Sequence, residues 1–158
     1  MTFKALEDPA LTMPLNQMVT FRVSRLHAKI ITQGSKMLME SAGISLMQWR
    51  VLVTLETSGR VTPAEIVRRT GLDKSQLSRT IKGMVADGLL TSETSESDQR
   101  AHLIDVTAKG IDLFQKARPH MRRRQQMLID ALGDPELETL FSAFDKLERA
   151  IDEMEETA

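Results

Sequence analysis

The residues best able to do chemistry gather on one short segment. Between Lys74 and Asp87 the spacing predicts a helix with two unlike sides. At about 100° per residue, Leu77, Ile81, Met84 and Val85 share one side. Ser75, Arg79, Lys82 and Ala86 collect on the other, flanked by Gln76 and Gly83. Hydroxyls and ammonium groups suit phosphate oxygens, while a guanidinium can bond bidentately to guanine and a glutamine amide to adenine. Arg79 and Gln76 are therefore the candidate base readers. Ser75 lies near the helix start, within reach of phosphate or base, and Lys82 suits a phosphate. Lys74 and Ser78 complete the candidate set. Acids occur only at the ends, as Asp73 and Asp87. A merely solvated helix face would more often mix acids with bases. The pattern is that of a helix laid in the major groove of double-stranded DNA.

Other chemistries find little support. The chain has no cysteine, which excludes disulfides, thiol catalysis and cysteine-ligated metals. His27, His102 and His120 are scattered and form no pair at metal-ligand spacing. No carboxylate pair sits in an evident apolar pocket, and no phosphate-binding loop is present. The expectation is a protein with no catalytic residues, no metal and no cofactor. No apolar run reaches the roughly 18 residues that would span a membrane. The first ten residues lack the basic start and apolar stretch of a secretory signal, so a cytoplasmic protein is expected.

The rest of the chain reads as scaffold. Apolar spacing predicts a first helix from about Leu15 to Ser41. Ser45 and Gln48 form a capping-box pattern that opens a second helix, ended by Gly59. Thr62, Pro63 and Glu65 start a short third helix, Pro63–Thr70. Asp73 caps the fourth. After Gly88 the period changes, and Leu89–Thr94 and Ala101–Val106 read as two strands around a polar turn. Arg60-Val61 is a candidate for a tiny additional strand. Thr107 caps a fifth helix to about Leu132, with a kink expected at Pro119. The last helix runs from about Pro135 to Glu155.

Two short capped helices joined by a glycine turn make a helix-turn-helix candidate. A β-hairpin directly after them makes the winged variant. At the hairpin tip, Arg100 is suited to a narrow minor groove, and Asp98 to holding that tip in place. A surface hairpin without a partner is the plainer alternative. Charge is unevenly spread: 19 basic residues face 12 acidic ones up to Ile129, then 2 face 10 from Asp130 onward. A chain of formal net charge -1 can thus carry a local positive face.

Several segments together are familiar. Ile44-Ser45 with Gln48-Trp49-Arg50-Val51-Leu52, then Gly88-Leu89-Leu90, Asp98-Gln99-Arg100 and Val106-Thr107-Ala108-Lys109-Gly110 resemble, in order and spacing, the MarR family of bacterial regulators. The similarity runs from roughly Leu15 to Ile151. Ser45 stands where the family usually has threonine and Val106 where it has leucine, both conservative. The cysteine used by peroxide-sensing members is missing.

The resemblance implies a homodimer in which the N-terminal and last two helices interlock. The residues agree, because the long first, fifth and sixth helices carry more apolar stripe than one small winged domain can bury. A two-fold dimer would cover the excess and set two recognition helices about 34 Å apart, matching a pseudo-palindrome. The expected fold is mainly α with a small β-hairpin wing: a winged helix-turn-helix with long N- and C-terminal dimerisation helices. Residues 45–106 would be the DNA-binding domain, and 1–44 and 107–158 the dimerisation helices. The resemblance further implies a repressor released by a small-molecule effector, often aromatic and anionic, held between dimer helices and winged domain. Arg22, Arg25, His27, Met47 and Trp49 are its candidate contacts, each with a structural role as the alternative. The competing function is a winged-helix protein-protein interaction module without catalysis.

Overall fold

The computed structural model describes residues 13–94 and 102–157. Six helices and one hairpin follow in the order α1 (Val19–Ala42), α2 (Leu46–Ser58), α3 (Pro63–Thr70), α4 (Lys74–Ala86), β1 (Leu90–Thr94), β2 (His102–Val106), α5 (Ala108–Asp130) and α6 (Asp134–Glu156). The architecture is mainly α with a two-stranded wing, as expected.

The first helix starts later than its apolar spacing suggests. Leu15–Gln17 form a separate 3-10 turn, and Met18 is extended at φ -70° and ψ 127°. The Met18 N–H donates to the Leu15 carbonyl at 3.2 Å and closes that turn. A new ladder then begins, with Arg22 N–H donating to the Met18 carbonyl at 3.0 Å.

Side-chain caps fix the later helix starts. Ser45 Oγ accepts from Gln48 N–H at 3.2 Å, and Gln48 Oε1 accepts from Ser45 N–H at 2.8 Å, a complete capping box. Thr62 Oγ1 accepts from Glu65 N–H, Asp73 Oδ1 from Gln76 N–H, and Thr107 Oγ1 from Gly110 N–H. The hairpin pairs antiparallel from Leu90↔Val106 to Thr94↔His102. Val61 forms an isolated antiparallel bridge to Ile104 through two backbone bonds of 3.3 and 2.9 Å.

The chain divides into two compact units, residues 1–117 and 118–158. In the first, α2 is central and touches α1, α3, α4 and β2. Leu38, Val51, Leu52, Leu55, Ile66, Leu77, Met84, Leu90, Ile104 and Phe114 fill its core. Burying each such side chain contributes about 1.5–3 kcal/mol. In the second unit, Phe141, Phe144, Leu147, Ile151 and Met154 of α6 remain exposed in the single chain. The same holds for Leu15, Val19, Val23 and Leu26 at the start of the first unit.

Candidate nucleic-acid interface

The position of α4 is set from both ends. Before it, Gly71 adopts φ 63°, a left-handed conformation that ends α3 and turns the chain within three residues. Asp73 then caps α4 at 2.8 Å. After it, Leu89 N–H returns to the Met84 carbonyl at 2.8 Å. Leu77, Ile81 and Met84 anchor the helix in the core, with Met84 wholly buried.

All six candidate contacts on α4 face outward. Lys74, Ser75, Gln76, Ser78, Arg79 and Lys82 are exposed, while Val85 is half-buried on the core side. Among the described residues, Lys74, Arg79 and Lys82 form no ion pair. Their charges therefore stand uncompensated on a helix face that lacks bulky apolar side chains. Such a face can approach a phosphate backbone and present long donors to base edges.

The wing is tied firmly to this helix. Thr107 donates its N–H to the Leu89 carbonyl at 3.1 Å and its hydroxyl to the Gly88 carbonyl at 2.7 Å. Lys109 Nζ donates to the Asp87 carbonyl at 2.7 Å. Gly110 permits this closeness, because a Cβ there would lie 2.3 Å from the Leu89 carbonyl oxygen and 2.7 Å from Val106 Cγ2. Arg60 pairs with Glu93 on β1 and, at 3.5 Å, with Asp105 on β2. It holds together two carboxylates that are diagonal neighbours on one hairpin face. The tip residues Asp98 and Arg100 lie outside the described residues.

Arg22, Arg25 and His27 are exposed along α1, and Met47 is half-buried. Trp49 lines a cavity of about 490 Å³, together with Arg50, Val53, Thr54, Thr57, Arg69 and Thr70. Sequence reasoning missed Arg50 and Arg69. Arg50 adjoins Trp49 in the capped segment, whereas Arg69 comes from another helix and left no local signal. Beside the cavity, Glu65 accepts from both Arg69 and Arg68. The Arg69 hydrogen bond, and then that of Arg68, holds its carboxyl below the usual carboxylate range. No group of three or more metal-ligating side chains occurs among the described residues. No described helix is long and apolar enough to cross a membrane.

Comparison with known proteins agrees with this geometry. A model of the MarR family matches residues 42–101. The transcriptional repressor MprA of Escherichia coli is 24% identical over 162 residues, which cover 90% of this chain and 92% of MprA. A MarR/EmrR family transcriptional regulator from an Acinetobacter species has the same fold, with a TM-score of 0.80 at 23% identity, covering 89% of this chain and 99% of that one. BpsR of Bordetella bronchiseptica, whose DNA binding is regulated by 6-hydroxynicotinic acid, has a TM-score of 0.73 at 18% identity over 86% of this chain and 96% of its own.

Proposed function

We propose that this chain is a MarR-family transcriptional regulator, a homodimeric repressor that grips a pseudo-palindromic operator and is released by a small-molecule effector. One observation carries the DNA reading. Lys74, Ser75, Gln76, Ser78, Arg79 and Lys82 stand exposed on α4 above a buried apolar side, with no acid among them. Arg79 and Gln76 read base edges, and Lys74 and Lys82 hold phosphates. Arg100 extends the contact to the minor groove, with Asp98 positioning it.

The exposed apolar residues of α1 and α6 support the dimer. A second copy removes them from water and repeats the recognition helix with two-fold symmetry. In this reading residues 45–106 bind DNA, residues 1–44 and 107–158 dimerise, and the protein works in the cytoplasm without catalysis. The effector reading draws on BpsR, whose DNA binding responds to an aromatic acid.

The test is fluorescence anisotropy of DNA from upstream of the chain's own gene, titrated at several salt concentrations. Tight binding that weakens steeply with salt, at two chains per site, is the expected result. Absence of binding at low salt refutes the proposal and favours the protein-interaction module.

A further inference from the structure

Gly83 stands in the interior of α4, where glycine is the poorest helix former after proline. Two roles that commonly explain a helical glycine do not apply to it. It does not end the helix: its carbonyl accepts from the Asp87 N–H at 2.9 Å, and the left-handed turn comes later, at Gly88 with φ 70°. Nor does it make room for a neighbouring element, since a Cβ added there would meet nothing within 4 Å among the described residues. Gly110 is the contrast, because a Cβ there would meet the Leu89 carbonyl oxygen at 2.3 Å. Gly83 is exposed and its φ is not positive, so the local backbone would accept a side chain without strain.

The residues around it say what lies outside. Helical spacing puts Arg79 one turn before Gly83 and Ala86 one turn after it on the same side of α4, with Lys82 adjacent. Arg79 and Lys82 are exposed and form no ion pair among the described residues. The acid next along the chain, Asp87, lies at the helix end, where Lys109 Nζ reaches its carbonyl at 2.7 Å. Two uncompensated cations beside a missing side chain fit a polyanion that comes into contact with the helix backbone.

From this we infer that Gly83 is a close-approach point, at which a sugar-phosphate strand of the DNA bound by α4 packs against bare helix backbone. The inference rests on the DNA reading above and adds a contact that depends on a missing side chain. A side chain at this position holds α4 away from the groove, and so lengthens the bonds of Arg79 and Lys82 to DNA together. Ala86, the next residue on that side, is small enough to keep the same approach. The helix gives up stability at Gly83 and gains depth of docking.

The test compares wild type with Gly83→Ala and Gly83→Leu, in urea unfolding and in anisotropy on DNA from upstream of the chain's own gene. Both substitutions keep the charge, add no group that can bond to DNA, and introduce good helix formers. Urea midpoints of both variants are expected to rise, by about 0.5 M for alanine. DNA affinity is expected to fall at least about fivefold for alanine and further for leucine, as overpacking requires. A more stable protein that binds DNA less tightly is an outcome that loss of a structural role does not give. Undiminished affinity in either variant overturns the inference. So does a midpoint that fails to rise in Gly83→Ala, because the glycine would then serve the fold itself. Wild-type binding separates the two readings. If wild type binds no DNA at low salt, the DNA reading fails and this inference with it; if wild type and variants bind alike, this inference alone fails.

Discussion

Replacing Gly110 with alanine tests how closely the wing is locked to the helix that follows it. The added Cβ would lie 2.3 Å from the Leu89 carbonyl oxygen and 2.7 Å from Val106 Cγ2. The nearer atom is backbone, so no side-chain rotation relieves the clash. Overpacking of this kind costs about 1–3 kcal/mol. Moving α5 away also lengthens the Thr107–Leu89 backbone bond, now 3.1 Å, whose loss adds about 0.5–1.5 kcal/mol. Helix propensity opposes both, since alanine is better than glycine in a helix by about 1 kcal/mol. The clash wins, and net destabilisation of about 1–3 kcal/mol is expected. In urea, with a slope of about 2 kcal/mol per molar, the midpoint falls by about 0.5–1.5 M while the slope stays constant. Both proteins must be compared at one concentration, because the stability of the proposed dimer depends on it. An unchanged or higher midpoint would refute the reasoning, since propensity would then outweigh a contact that cannot form.

Other substitutions separate further parts of the account. Lys82→Ala is expected to weaken binding of all DNA sequences to a similar degree and to lower the salt slope by about 0.9 for each bound protomer, about 1.8 for the proposed dimer, read by anisotropy at several salt concentrations. Asp73→Ala removes the α4 cap and should cost about 1 kcal/mol in urea unfolding, with Asp73→Asn recovering most of it. Glu65 gives a pH signature. Its folded carboxyl is held below the ordinary range, first by Arg69 and then by Arg68. Its contribution is therefore complete above the unfolded carboxylate range and is lost as pH falls through the lower folded value. Glu65→Gln should flatten the acid limb of the stability profile, and an unaltered limb would show that the pairs are too solvated to matter.

The local grammar of the fold was legible. Ser45, Thr62, Asp73 and Thr107 each cap the helix that their spacing announces, because capping is settled within four residues. The change of period after Gly88 located the hairpin, while the tiny strand expected at Arg60-Val61 is reduced to a one-residue bridge at Val61. The two-sided pattern of α4 also held, with Leu77, Ile81 and Met84 inside and Arg79 and Lys82 outside. Periodicity misled at Leu15, since apolar spacing continues across Met18 although the backbone there is extended. What stayed hidden depends on tertiary contact. Arg60 meets Glu93 across 33 residues, and Arg50 and Arg69 share a cavity although they lie on different helices. Nothing in their immediate sequence distinguishes such arginines from solvated ones.

The central claim is that α4 reads DNA sequence through its exposed face. Its most direct test is the affinity of wild type and Arg79→Ala for an operator and for single-base variants of it. The account predicts that Arg79→Ala loses about 1–3 kcal/mol on the intact operator and becomes indifferent to one guanine position, while keeping its preference elsewhere. Wild-type affinity and an unaltered base preference in a folded Arg79→Ala protein would contradict it.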